Sequence, residues 1–292
     1  MAALREFQAT IKADPFTELA DLIPSGPEPV IYTDLAGNSK QKPLTFDRLK
    51  EFVAEFDVRR FGLKRTDTLC TAIPNGPEAC VCFWAVSSQC VFAPLNPNLT
   101  IPEVEFELED LPCHTMLVLR ETNPDMPAVV EKTKQVTLCC GRFNVPVVEI
   151  LRDPSWAGLF RLDGKAVPTP VPAVPTLGDD LALVLHTSGT TKKPKIVPLT
   201  HSNLGNGIQF VARTLTRKRE DVCLNVMPLF HIHGIVANVG VSVFLHSQVA
   251  ARFRRIATPC LATCLASAIL IRLSLRPARR AHPLLHDSAS KP

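Results

Sequence analysis

Nine consecutive residues concentrate the groups that could do chemistry: Thr187-Ser188-Gly189-Thr190-Thr191-Lys192-Lys193-Pro194-Lys195. Four hydroxyls fall within five residues, at Thr187, Ser188, Thr190 and Thr191. Gly189 has no side chain, so the backbone can turn tightly and come close to a ligand. Successive N–H groups in such a turn form a concave anion site. Lys195 adds a cation and Pro194 stiffens the chain beside it. Hydroxyls, bare N–H groups and a lysine together suit a polyphosphate. A solvated Ser/Thr-rich loop is the plain alternative. It loses ground because the apolar run Leu181-Ala-Leu-Val-Leu185 leads straight into the loop and Lys-Pro-Lys closes it. The Gly-x-x-x-x-Gly-Lys-Ser/Thr pattern of a P-loop is absent, and so are the three spaced glycines of a dinucleotide fingerprint.

The elements around the loop must hold it in place. Pro29 to Thr33 reads as the start of a strand, with a hairpin turn at Gly37-Asn38. A helix is expected from Thr45-Phe46 to about Arg60. Thr68–Ile73, Val91–Leu95, His114–Leu119, Val145–Ile150 and Leu181–Leu185 are apolar, β-compatible runs. Between them lie helical stretches at Pro77–Ser87, Pro102–Leu111 and Ala128–Lys134. This alternation predicts an α/β fold with a mostly parallel sheet flanked by helices. Residues 164–179 are proline-rich and read as a connecting loop. Extended structure resumes at Ile196–Leu199, and Thr200-His-Ser-Asn203 offers capping side chains to a helix of about ten residues.

The 292 residues suffice for one large or two ordinary domains. The net charge of +4 is unevenly placed. From Ser247 onward, seven Arg and one Lys stand against one Asp, giving +7, so residues 1–246 carry −3. A mildly acidic body argues against nucleic acid as a partner. Ten cysteines without a pair-and-pair spacing predict small buried apolar residues, with no metal ligands among them. The N-terminus lacks a secretory core, so a reducing, cytoplasmic setting is expected.

Leu185-His-Thr-Ser-Gly-Thr-Thr-Lys-Lys-Pro-Lys-Ile-Val-Pro-Leu-Thr-His-Ser-Asn-Leu204 closely resembles the signature of the AMP-forming acyl-CoA synthetase family. This is the adenylate-forming superfamily, and the sequence stands nearest to its 4-coumarate/oxalate/fatty-acyl CoA ligase-like group. Pro74-Asn-Gly-Pro-Glu78 with Ala93-Pro-Leu-Asn-Pro97 resembles the family's early core. Met227-Pro-Leu-Phe-His-Ile-His-Gly234 resembles the motif after the phosphate loop. The resemblance implies the first part of the large N-terminal domain of the adenylate-forming ligase fold. It also implies a two-step reaction: a carboxylate attacks the α-phosphate of Mg-ATP to give acyl-AMP and pyrophosphate, and coenzyme A then displaces AMP. ATP, Mg²⁺ and coenzyme A are thus the implied cofactors, with a small-molecule carboxylic acid as partner.

By residue matching, Thr187, Ser188, Gly189, Thr190, Thr191 and Lys195 would hold the ATP phosphates. His231 would lie beside the adenylate phosphate and acyl pocket as the catalytic candidate. A core-facing histidine at a strand end is the alternative for His231. His233 and His201 are expected to be structural. Lys192 stands where the family has glycine, which either strains the loop or adds a phosphate contact. Cys90 also replaces a family glycine.

The family's Tyr-Gly-x-Thr-Glu and Thr-Gly-Asp segments and its lid lysine have no counterpart in the sequence. The expected division is a partial AMP-binding domain over 1–246 and a basic tail over 247–292 that is foreign to the family, arising from a changed reading frame or exon. A non-catalytic product that binds nucleotide weakly, or binds only protein partners, is the alternative function. Ile256 to Ile271 is free of charge but short for a membrane helix. The C-terminal Ser-Lys-Pro is not a peroxisomal signal, although that compartment stays open for a longer form.

Overall fold

The computed structural model describes residues 15–33, 39–121, 126–168, 171–187, 194–215 and 217–250. The expected turn at Gly37-Asn38, the run 256–271 and Ser188 to Lys193 lie outside these residues.

Eleven strands among the described residues form two sheets. They are β1 (Pro29–Tyr32), β2 (Leu44–Thr45), β3 (Thr68–Ala72), β4 (Val91–Pro94), β5 (Cys113–Leu119), β6 (Val147–Arg152), β7 (Phe160–Asp163), β8 (Leu181–Thr187), β9 (Lys195–Thr200), β10 (Val222–Leu224) and β11 (Gln248–Ala250). The larger sheet runs β7-β6-β5-β3-β4-β8-β9 and the smaller one β10-β11-β1-β2. In the larger sheet β6, β5, β3, β4 and β8 pair in parallel, with β7 and β9 antiparallel at the two edges. The mixed α/β architecture with a mostly parallel sheet is therefore the one expected.

The main helices are α1 (Phe46–Glu55), α2 (Pro77–Ser87), α3 (Ile101–Asp110), α4 (Pro127–Arg142) and α5 (His201–Thr214). A π-helical segment, His233–Gly240, runs into the short α6 (Val241–Phe244). Alternation along the strands sorts the core into two layers, as a two-residue period requires. Leu69, Phe92, Leu117 and Leu183 face one layer, while Cys70, Ala93, Met116 and Val184 face the other. Helix α2 carries no polar stripe and is buried at every residue, as a helix that is apolar all round must be. Its first turn has Pro77 and Glu78, suited to the positive helix end.

Three elements depart from expectation. α1 stops at Glu55 because Phe56 is extended, and a 3-10 turn (Arg59–Phe61) ends on Gly62 at φ 83°. α4 runs on to Arg142 because Val136, Cys139 and Cys140 continue its buried stripe. Before β1, the N-terminal stretch reads from its sequence as a helical opening that ends in the Pro/Gly turn at 24–29, and its described part holds a 3-10 turn at Leu19–Leu22. The expected boundary at 246/247 is followed directly by β11, which sits between β1 and β10. Residues 251–292 lie outside the described ones.

The described cysteines are free thiols, all buried except the half-buried Cys113. Burial pushes the Cys90 thiol up to about 12. Among the described residues no helix is long and apolar enough to cross a membrane.

Candidate functional site

The chain leaves β3 by α2 on one face of the sheet and leaves β4 by α3 on the other. Connections that diverge in this way open a crevice beyond the carboxyl ends of neighbouring parallel strands. Beside it, at the carboxyl ends of β4 and β8, lies a cavity of about 300 Å³, lined by Leu95 and Asn96 after β4, His186 and Thr187 of β8, Pro194, and His231. A second cavity of about 480 Å³ lies beyond Phe230, which borders both.

Of the phosphate-loop candidates, Thr187 lines the first cavity, and Pro194, next to Lys195, lines it too. β8 and β9 form an antiparallel hairpin whose last pair is Thr187 opposite Lys195. The Thr187 hydroxyl donates to the Lys195 carbonyl at 3.3 Å and closes the neck of the loop. Both residues are exposed. Ser188, Gly189, Thr190 and Thr191 lie outside the described residues.

His231 stands in a turn ahead of the π-helical segment, exposed at the cavity wall. The core-facing alternative does not describe it. Its Nδ1 accepts from the His233 N–H at 3.2 Å, which fixes the imidazole against its own backbone. His201 is fully buried and holds the Leu19 N–H, as a structural histidine would.

The segment carrying His231 is fastened by three asparagines. Asn75, in the turn after β3, donates to the Met227 carbonyl at 3.0 Å and accepts from the Leu229 N–H at 2.9 Å. Asn225 donates to the same Met227 carbonyl at 3.1 Å and accepts from Asn238 at 2.8 Å. The sequence places Asn75 only in a stretch that resembles the family's early core, because its partners lie some 150 positions away. Asn75→Ala leaves the Leu229 N–H unpaired and is expected to cost about 1 kcal/mol. Urea unfolding followed alongside the His231 ring resonance checks this. An unchanged midpoint with an unmoved resonance would refute the clamp.

His186 is the other residue that sequence reading passed over. Its Nδ1 contacts the Glu107 carboxylate and its Nε2 lies 3.1 Å from Asp110. Burial disfavours the imidazolium, but the two carboxylates outweigh burial and raise the pKa above its ordinary value.

Residues 30–263 match the AMP-binding enzyme family. The chain is 32% identical over 200 residues to the oxalate–CoA ligase of Arabidopsis thaliana, covering 67% of this chain and 37% of that protein. It is 32% identical over 186 residues to the oxalate–CoA ligase of Saccharomyces cerevisiae, covering 59% and 34%. The chain thus spans little more than a third of the length of these curated relatives. Among solved structures, a long-chain-fatty-acid-CoA ligase (FadD1) from Archaeoglobus fulgidus shares the fold at TM-score 0.62 and 22% identity, over 84% of this chain and 49% of that one. ATP-bound MatB from Rhodopseudomonas palustris does so at TM-score 0.58 and 22% identity, over 85% and 46%. A signature on a β8–β9 hairpin, the parallel sheet that carries it and a sequence match over most of the chain agree: this chain belongs to the AMP-binding enzyme family.

Proposed function

We infer that the chain supplies the polyphosphate-holding part of an acid–thiol ligase site, in which ATP activates a carboxylic acid as acyl-AMP and coenzyme A then takes the acyl group. One observation carries this reading. The neck of the signature loop and the His231 segment, distant in sequence, meet around one cavity at the carboxyl edge of the parallel sheet. Donors fixed before the ligand arrives stabilise developing phosphate charge without reorganisation. In this reading Thr187, Ser188, Gly189, Thr190, Thr191 and Lys195 hold the phosphates. Magnesium enters with them as the counter-ion of ATP. His231 faces the adenylate, and the oxalate–CoA ligase relatives make small dicarboxylic acids the first substrates to try.

The test is ATP–pyrophosphate exchange across a panel of carboxylic acids, run beside calorimetric ATP binding. Lys195→Ala is expected to weaken ATP binding about tenfold, the loss of roughly 1.4 kcal/mol. Exchange that requires both the acid and Lys195 supports ligation. ATP binding sensitive to Lys195 but without exchange assigns the alternative, a nucleotide-binding, non-catalytic product. A chain that binds no ATP refutes both ligation and nucleotide binding and leaves the form of the alternative that binds only protein partners.

A further inference from the structure

Two carboxylates stand beside a cavity read above as a polyphosphate site. Glu107 lines that cavity, with its side chain 13% exposed, and Asp110 lies one turn further along α3. Unopposed, they would repel the anion the cavity is meant to take. His186 lies between them, 10% exposed, with one ring nitrogen on each carboxylate. It directly precedes Thr187 at the loop neck. An imidazolium can donate to both carboxylates at once, whereas a neutral imidazole has a single N–H and must face one carboxylate with a lone pair. Cation and carboxylates together carry −1, and loss of the proton leaves −2. β9 presents uncharged Ile196 opposite His186, and among the described residues His231 is the other titratable side chain on the cavity wall.

We propose that His186 sets the affinity of this cavity for polyphosphate by offsetting part of the negative charge of Glu107 and Asp110, acting as a positioning residue through charge rather than by touching the ligand. The proposal rests on the polyphosphate reading of the site. It goes beyond that reading by assigning a role to three residues outside the signature loop's hydroxyls and lysine.

The test measures binding of inorganic tripolyphosphate to the full chain by calorimetry, with folding followed by circular dichroism. His186→Gln is expected to bind about tenfold more weakly, a loss of roughly 1.4 kcal/mol. Glu107→Gln/Asp110→Asn should bind as tightly as the unaltered chain or more tightly. Adding both carboxylate changes to His186→Gln should restore binding to within about threefold, a residue of well under 1 kcal/mol. A merely structural histidine would not be rescued by removing its partners. The His186 ring resonance should titrate above the ordinary 6.5 and move down when the two carboxylates are neutralised. Undiminished binding by a folded His186→Gln chain, or a triple variant that binds no better than His186→Gln, overturns the inference alone. If the unaltered chain and Lys195→Ala both fail to bind tripolyphosphate, the polyphosphate reading falls and the inference falls with it.

Discussion

Gly234→Ala is expected to lower the unfolding free energy by about 3 kcal/mol, the upper part of the range for forcing one extra carbon into a packed site, and to displace His231. A Cβ at this position would lie 2.4 Å from the Pro228 carbonyl oxygen and 3.3 Å from the Met227 carbonyl oxygen. Both obstacles are backbone, so no side chain can swing aside. The same Pro228 carbonyl accepts the His231 N–H at 3.2 Å, and the Met227 carbonyl is held by Asn75 and Asn225. Pushing the turn away therefore strains the asparagine clamp and shifts the imidazole at the cavity wall together. Gly207→Ala provides the contrast. That glycine lies inside α5, where a Cβ would meet only Val236 at 4.0 Å. It should stabilise by about 0.5–1 kcal/mol through helix propensity and a less flexible unfolded chain. Urea midpoints of the two variants, with the His231 ring resonance as the local probe, decide the matter. Equal midpoints for Gly234→Ala and the unaltered chain would sink the steric account.

The second large effect is on acid stability and centres on His201. Its Nδ1 accepts the Leu19 N–H at 3.0 Å and its Nε2 lies 2.6 Å from Arg65 Nη2. Burial comes first and the Arg65 guanidinium second in holding its pKa down to about 4. The unfolded chain therefore takes up this proton before the folded one as the pH falls. The stabilisation is complete above about 6.5 and is lost progressively as the pH drops toward 4, amounting to about 3 kcal/mol. Asp180, bound to the Leu177 N–H and to Arg65, is held below the usual carboxylate range and acts only at still lower pH. His186 has the opposite sign: its raised pKa stabilises the fold at and below 6.5 and that contribution fades as the pH rises above it. Between 6.5 and 4 the slope should thus belong mainly to His201, with His246, held down by burial and Arg219, adding in the same direction. Unfolding free energies at pH 7 and pH 4.5 should differ clearly in the unaltered chain and much less in His201→Gln. A flat profile in the unaltered chain would contradict this.

Much of the fold could be read from local pattern. Strands β3, β4, β5 and β8 are short, continuous apolar runs because both faces of a parallel sheet are covered, and α2 announces its burial by having no polar face. Strands β2, β10 and β11 are two or three residues long, too short for periodicity to register. β11 exists because β1, over 200 positions away, pairs with it, and β2 and β10 then pair on the outer sides of β1 and β11. Likewise the second half of α4 mixes Val, Thr and Cys, residues whose helical state is settled by what they pack against, so local pattern marks only its first turns.

The loop at 187–195 was legible because its chemistry is local: hydroxyls, a glycine and a lysine within nine residues need no distant partner to be read as an anion grip. Its setting was decided by tertiary structure alone. Only the packing of the 227–231 segment against the turn after β3 brings His231 to the same cavity, and only the folded chain joins Asn75 to Met227 and Leu229 and places Glu107 and Asp110 on His186. Residue types and spacing determine which groups can bind phosphate. Contacts across some 80 to 150 positions determine what charge those groups work against, because electrostatics and hydrogen bonding follow distance in space rather than distance along the chain.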